Sequence, residues 1–172
     1  MQVTIRAAQI EDAPLLAAVQ VETWRVAYRG LVPDLLLDSM DVGERETGWR
    51  QILAEGGETL VAESDGDILG YVSFGISRDD DARADVGEMF AIYVRPPSWG
   101  VGVGRLLHDA AVVGIAAAGS TEATLWVLDN NKQARNFYEH AGWFTDGHVK
   151  TEERPAATLA KVRYRRRVDI RL

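Results

Sequence analysis

Residues 88–107 read EMFAIYVRPPSWGVGVGRLL, and this stretch decides the fold. Its apolar run from Met89 to Val94, followed by two prolines, predicts a buried strand. Glycines then alternate at positions 100, 102 and 104, and a helix is expected from Arg105. A helix that begins after a glycine-rich turn presents unpaired N–H groups and a positive dipole end to an anion. The stretch therefore predicts a phosphate-binding turn; the alternative is a connection that is merely tight and flexible.

Two common phosphate-binding motifs do not match this turn. A P-loop requires Gly-Lys followed by Ser or Thr, whereas the helix here begins Gly104-Arg105-Leu106. The dinucleotide fingerprint G-x-G-x-x-G does not fit three evenly spaced glycines, and it belongs near the start of a fold. Neither type of site is therefore indicated.

The composition indicates one globular domain over residues 1–172. The chain has 172 residues, 47% of them hydrophobic, which is enough for a sizeable core. No apolar run is long enough to cross a bilayer, and the first residues lack the layout of a signal peptide, so we expect no membrane partner. The sequence contains no cysteine, which excludes disulfides and fits a cytoplasmic location.

The charged residues favour neither nucleic acid nor metal. A net charge of −7 argues against non-specific nucleic-acid binding and would suit a cationic small molecule or a basic peptide. Three scattered histidines form no metal-binding pattern, and His108 and His140 are expected on exposed helix faces. The basic run at residues 163–167 alternates with apolar positions and predicts a late strand with one solvated face. This exposed row of arginines is compatible with a homodimer.

The rest of the chain alternates between strand and helix patterns. In chain order we expect a strand near residues 3–5, helices beginning near Glu11, Pro33 and Asp41, a hairpin turning at 64–67, the central strand, a helix over 105–118, a strand at 124–128, a helix from Asn131, and closing strands at 143–150 and 161–168. The polar loop 78–83 is expected to be solvated. This order predicts an α/β fold, a mixed and mostly antiparallel sheet of about six to seven strands with helices on both faces.

Residues 24–30, WRVAYRG, form an unusual helix exit. Trp24 and Tyr28 are four residues apart, a spacing at which aromatic side chains usually belong to the core. Two arginines, including Arg29, and the position at the end of a helix favour an acceptor-binding site instead. Both interpretations stay open from the sequence.

Two motifs together resemble the GCN5-related N-acetyltransferase (GNAT) superfamily, which moves acetyl from acetyl-coenzyme A (acetyl-CoA) to an amine. One is Q/R-x-x-G-x-G/A after a strand, which here reads WGVGVG at residues 99–104, with Trp99 in place of Gln or Arg. The other is N-x-x-A-x-x-F-Y-E, matched by NKQARNFYE at residues 131–139. The resemblance covers the C-terminal half densely and the N-terminal half by element order. It implies an acyl-CoA N-acyltransferase fold, with the sheet splayed at the central strand.

The resemblance also implies where acetyl-CoA would bind. Its pyrophosphate would lie on the main-chain amides of Val101, Gly102, Val103, Gly104 and Arg105. Its pantetheine arm would pair with the backbone of the central strand as an added strand does, at Ile92, Tyr93 and Val94.

The second motif would complete this cofactor site. Asn131 would hydrogen-bond the pantetheine arm, while Ala134 and Phe137 would line its channel. The alternative for all three is ordinary helix capping and packing. No metal is expected.

Direct acetyl transfer requires three functions. An alkylammonium with a pKa of about 10.4 must lose a proton before it attacks, and Glu88 is the candidate base, directly or through water. A central-strand amide near Ile92 would stabilise the oxyanion. Tyr138 would protonate the departing thiolate. The alternatives are a solvated carboxylate for Glu88 and a core tyrosine for Tyr138.

The acceptor amine is left open. A small amine, an aminoglycoside, an amino acid or a protein amine would each fit, with Trp24, Tyr28 and Arg29 as candidate contacts. Two other classes are alternatives: an acetyl-CoA-binding sensor or scaffold without turnover, and a nucleotide-binding protein that uses the glycine turn for another phosphate ligand.

Overall fold

The computed structural model describes residues 1–168, in which seven strands form one sheet of order β1-β2-β3-β4-β5-β7-β6. The strands are β1 (Thr4–Ala7), β2 (Glu58–Ser64), β3 (Asp67–Ile76), β4 (Val86–Val94), β5 (Glu122–Leu128), β6 (Phe144–Arg154) and β7 (Ala157–Arg167). The helices are α1 (Ala13–Ala27), α2 (Asp34–Asp38), α3 (Val42–Ala54), α4 (Val103–Ala117) and α5 (Lys132–His140). Within the described residues only β4 and β5 pair in parallel, so the predicted mixed, mostly antiparallel fold is confirmed.

Two hydrophobic clusters sandwich the sheet, because successive strand residues point to opposite faces. Val61 packs with α1 and α3 on one face, whereas its neighbour Ala62 packs with α4 and α5 on the other. Both side chains are fully buried. The predicted arrangement of helices on both faces therefore follows from strand alternation.

Local sequence signals set several connections as expected. Asp65 and Gly66 both have positive φ, 52° and 85°, which gives the tight turn between β2 and β3. Asp41 caps α3 by accepting a hydrogen bond from the amide of Glu44 at 2.8 Å. Helix α4 lies so close to the sheet that a Cβ at Gly114 would be 2.6 Å from the Phe74 ring. The sequence of the helix is therefore adapted to this close contact.

The loop 78–83 is largely exposed, as expected, but two of its carboxylates bind groups of the sheet. Asp79 accepts hydrogen bonds from the Trp126 indole at 2.9 Å and from Arg163 at 3.1 Å. Asp81 accepts two more from Arg163, at 2.7 and 2.8 Å, and they lower the pKa of Asp81 to about 2. The acidic loop is thus fastened to β5 and β7.

The arginine row on β7 differs from the prediction of a solvated face. Arg163 is only 2% exposed and donates to Asp146 at 2.7 Å in addition to the loop carboxylates. Arg165 pairs with Glu122, and Arg166 donates to the carbonyl of Ala141. Because these three guanidinium groups have partners within the chain, the row no longer supports a homodimer.

His108 was predicted on an exposed face of α4 but is fully buried. Its Nε2 accepts from the Trp143 indole at 2.9 Å, and its Nδ1 lies 2.7 Å from the carboxylate of Asp109. Burial lowers the pKa of His108, so the imidazole stays neutral and satisfies both contacts. His140 is exposed, as expected.

The last hairpin is longer than predicted. Strands β6 and β7 extend to Arg154 and from Ala157, so Pro155 lies in the short turn between them. Ala157 and Leu159 near this turn pack with Val21 of α1 and Leu36 of α2. The tip of the hairpin therefore reaches over the end of α1.

None of the helices within residues 1–168 is both long and apolar enough to cross a bilayer.

Candidate active site

A cleft of about 460 Å³ opens where β4 and β5 separate. The two strands pair only over Val86–Glu88 and Glu122–Thr124, although they continue to Val94 and Leu128. The cleft is lined by α1 on one face of the sheet and by α4 and α5 on the other. It therefore passes through the sheet, at the predicted splay.

The free edge of β4 faces this cleft. The amide of Arg95 donates to Leu69 of β3 at 2.8 Å, which fixes the direction of its neighbours because strand amides alternate between edges. The main-chain groups of Tyr93 consequently face β3, so its predicted backbone pairing with the pantetheine arm is wrong. Those of Ile92 and Val94 face the gap. The carbonyl of Val94 already accepts from the Trp99 indole, at 2.6 Å.

The glycine-rich turn forms one end of the cleft. Gly100 and Gly102 have φ of 77° and 90°, left-handed values that glycine tolerates best. Gly102 caps α4, and its carbonyl accepts from the amide of Leu106 at 3.1 Å. The five amides from Val101 to Arg105 donate to no group within residues 1–168. A row of unpaired donors at a helix N-terminus is an anion site.

The predicted residues of this turn differ in where their side chains lie. Gly102, Gly104 and Arg105 line the cleft. The side chain of Val103 is buried in the core, and that of Val101 is 60% exposed, so each could contribute only its backbone amide. The Arg105 guanidinium lies 3.0 Å from the carboxylate of Asp109.

Helix α5 supplies the opposite wall. Asn131 caps it by accepting from the amide of Ala134 at 3.1 Å, which leaves the Asn131 amide group as a donor. Asn131, Ala134, Phe137 and Tyr138 all line the cleft. The spacing of the second motif thus brings all four to one cleft.

Tyr138 presents its hydroxyl without a hydrogen-bond partner in residues 1–168. The side chain is 8% exposed, and burial, with a smaller effect of Tyr93, raises its pKa. The phenol therefore stays protonated at any pH near neutrality and is available as a donor.

Glu88 lies at the apex of the splay, opposite Thr124 in the last paired position. Its carboxylate accepts from the Arg78 amide at 2.9 Å and from the Ser77 hydroxyl at 3.4 Å. The residue is 7% exposed, and burial raises its pKa despite these donors. The cleft wall begins one residue later, at Met89, so Glu88 is adjacent to the cleft rather than on its wall.

The predicted acceptor residues separate into two groups. Trp24 and Tyr28 line the cleft, and with Tyr93 they form edge-on ring contacts at 4.7 to 6.4 Å. Arg29 lies outside the cleft, where it pairs with Asp34 at 3.1 Å and Asp38 at 3.3 Å. The structure therefore brings the two aromatic residues to the site and leaves Arg29 at the surface.

Some wall residues carried no signal in the sequence. Trp126 of β5 and Leu159 and Lys161 of β7 face the α1 end of the cleft. They reach it because β7 inserts between β5 and β6, a strand order that local patterns do not specify.

In residues 1–168 no group of three or more His, Cys, Asp or Glu side chains is arranged to hold a metal ion.

The profile of the acetyltransferase (GNAT) family matches residues 22–143. The chain belongs to the GNAT family. It is accordingly an acyltransferase that depends on acetyl-CoA, which agrees with the resemblance of its two motifs.

Proteins similar to this GNAT protein in sequence or in structure are also named as acetyltransferases. "Uncharacterized N-acetyltransferase YuaI" of Bacillus subtilis is 32% identical over 130 residues, 75% of this chain and 73% of the relative. "Probable N-acetyltransferase Rv2775" of Mycobacterium tuberculosis is 33% identical over 153 residues, 87% and 84% of the two chains. The structure of yncA from Salmonella typhimurium with its cofactor acetyl-CoA has a TM-score of 0.74 at 19% identity, covering 100% of this chain and 97% of that one. This last likeness concerns the fold.

Proposed function

We propose that this GNAT protein transfers acetyl directly from acetyl-CoA to a primary amine, with Glu88 as the base and Tyr138 as the acid. The observation that carries the proposal is the cleft through the sheet, which has unpaired amides at one end and the Tyr138 hydroxyl on its wall. The acceptor would be a small molecule or a peptide amine. Acetyl-CoA supplies the activated thioester.

The chain's own residues fit acetyl-CoA. The amides of residues 101–105 would hold the pyrophosphate, because five donors without protein partners cluster at the positive end of a helix. Ile92 and Val94 would hold the pantetheine arm through main-chain groups that face the gap, and Tyr93 would contribute its side chain. Asn131 would donate to the arm, with Ala134 and Phe137 beside it.

Glu88 would accept a proton from the ammonium group of the acceptor, which leaves a neutral amine that can attack. Burial raises its pKa, which makes the carboxylate a stronger base than an exposed glutamate. Its place just beyond the cleft wall favours transfer through a water. The hydroxyl of Thr124, buried without a partner in residues 1–168, would help to orient that water because Thr124 pairs with Glu88.

Two donors would act on the thioester. The Ile92 amide would stabilise the oxyanion that forms when the amine attacks the carbonyl carbon. Tyr138 would give its proton to sulfur as the C–S bond breaks, and would regain one from solvent. A C–N bond forms and the C–S bond breaks; the nitrogen loses one proton to Glu88 before the attack and a second to solvent after it, and the products are an N-acetylamine and free coenzyme A thiol.

Trp24 and Tyr28 would contact the acceptor from α1. Their place on the α1 face of the sheet, opposite the face on which α4 packs, supports this role. Arg29 would reach only an acceptor that extends beyond the cleft, since it lies at the surface.

The decisive experiment measures thiol release from acetyl-CoA with a panel of amines, for wild type and Tyr138→Phe. We expect turnover with wild type and a kcat lowered about 100-fold in the variant, in the range of one general acid. The thermal shift with coenzyme A should be equal in both proteins.

The outcomes separate the alternatives. Equal kcat in Tyr138→Phe would remove this residue from the reaction. Tight binding of acetyl-CoA without thiol release would favour a sensor or scaffold. A larger thermal shift with ATP than with acetyl-CoA would favour a nucleotide-binding protein.

A further inference from the structure

The charge of the cleft walls limits the acceptor. Among the described residues that line the cleft, the charged side chains are Arg105 and Lys161. Arg105 lies at the glycine turn, so Lys161 is the charge at the acceptor end. A polyamine or an aminoglycoside would require carboxylates there that are not already paired with cations of the chain, because interfaces match opposite charges. The walls instead suit an acceptor that carries an anionic group.

Two buried donors at this end lack partners. The Trp24 indole N–H and the Arg154 Nε are each buried and meet no hydrogen-bond acceptor within residues 1–168. The Trp24 group lies close enough to the Tyr93 hydroxyl to influence its pKa, but outside hydrogen-bond geometry. Buried donors in proteins are nearly always satisfied, so both groups are candidates to donate to a bound ligand.

Strand register places Arg154 beside the cleft. Glu152 pairs with Leu159 and Arg154 with Ala157, and directly paired residues project from the same face of a sheet. Leu159 lines the cleft, so Glu152 and Arg154 face its rim. Glu152 contacts both Arg154 and Lys161, which leaves two cations for one carboxylate. A second anion would balance this group.

The remaining walls of the acceptor end are apolar. They are formed by Phe90, Trp126, Leu128 and Leu159, with the rings of Trp24 and Tyr28. Binding an apolar side chain against such a surface is favourable, because apolar surface is removed from water.

From these contacts we infer that the acceptor is a free amino acid with an apolar side chain, whose carboxylate binds Lys161, Arg154 and the Trp24 indole N–H. This inference rests on the proposed function. The carboxylate would accept hydrogen bonds from the unpaired donors, and the side chain of the amino acid would pack on the aromatic wall. The α-amine, bonded to the carbon next to the carboxylate, would be held for attack.

The test compares L-phenylalanine with L-phenylalaninamide and 2-phenylethylamine, which keep the ring and the amine but lack the carboxylate. Spermidine and kanamycin serve as polycations, and thiol release is the readout. We expect kcat/KM for L-phenylalanine to exceed that of the other amines by about 10- to 100-fold, the range for a hydrogen-bonded charge.

Variants locate the carboxylate. Lys161→Met and Trp24→Phe should each raise the KM for L-phenylalanine about tenfold or more and leave the KM for acetyl-CoA unchanged. Arg50→Met, a surface change on α3, should alter neither value. Unchanged phenylalanine KM in both cleft variants would overturn the inference.

Each outcome also distinguishes this inference from the proposed function. Turnover of 2-phenylethylamine or spermidine at a rate equal to or above that of L-phenylalanine would overturn the amino-acid acceptor and leave acetyl transfer intact. Absence of thiol release with every amine would overturn both.

Discussion

Two polar regions of this GNAT protein lie on either side of Trp126. They differ in whether their hydrogen-bond donors have partners within the described chain. In the Arg163 cluster, which consists of Arg163, Asp79, Asp81 and Asp146, a buried guanidinium meets three carboxylates. Around the cleft, the amides of residues 101–105 and the indole of Trp24 meet no partner in the described chain. The first region stabilises the fold, whereas the second keeps donors available for ligands.

The largest expected effect is a loss of activity on changing Glu88, next to the cleft. Glu88→Gln should lower kcat/KM by about 100- to 10,000-fold, because general-base catalysis is lost. Its free energy of unfolding should not fall at neutral pH, since a carboxyl whose pKa is raised by burial is destabilising when ionised. Glu55→Gln, on the exposed end of α3, is the matched control.

The pH profile gives an independent readout of the same residue. The ionised form of Glu88 is the active one, so the rate should increase with pH through a pKa above that of an ordinary glutamate. In Glu88→Gln this acidic limb should disappear. A variant profile identical to that of wild type would exclude Glu88 as the base.

The second effect concerns the Arg163 cluster. Arg163→Met leaves the largely buried Asp79 without its cation and leaves Asp146 with Arg165 alone, which should lower the free energy of unfolding by about 3–5 kcal/mol. Urea denaturation measures it. Arg50→Met breaks an exposed pair with Glu46 and should cost at most about 0.5 kcal/mol. Equal midpoints for the two variants would show that the cluster is not stabilising.

The smallest effect tests the glycine turn. Gly102→Ala places a Cβ at φ 90°, so it should cost about 1–2 kcal/mol of stability and raise the KM for acetyl-CoA. Gly48→Ala, inside α3 with open space around it, should stabilise by about 0.5–1 kcal/mol. If Gly102→Ala behaved like Gly48→Ala, the left-handed turn would not hold the unpaired amides in place.

Much of the site could be predicted because its signals are local. The glycine turn, the helix that follows it and the α5 motif are each a continuous stretch of at most 15 residues. The backbone conformation of such a stretch depends mainly on its own residues. Predictions failed where burial depends on distant partners. His108 was assigned to the surface because Trp143, its hydrogen-bond donor, is 35 residues away along the chain.

The sequence by itself determined that a strand ends in a row of free amides at a helix N-terminus, since those donors have no intrahelical acceptor in any context. Only the tertiary structure decided which charges are buried and which lie at the cleft. Arg163 and Lys161 are two residues apart on the same face of β7, yet one is enclosed by the acidic loop and the other lines the cleft. The reason is that the partners of each side chain come from other strands and loops, which strand order alone brings together.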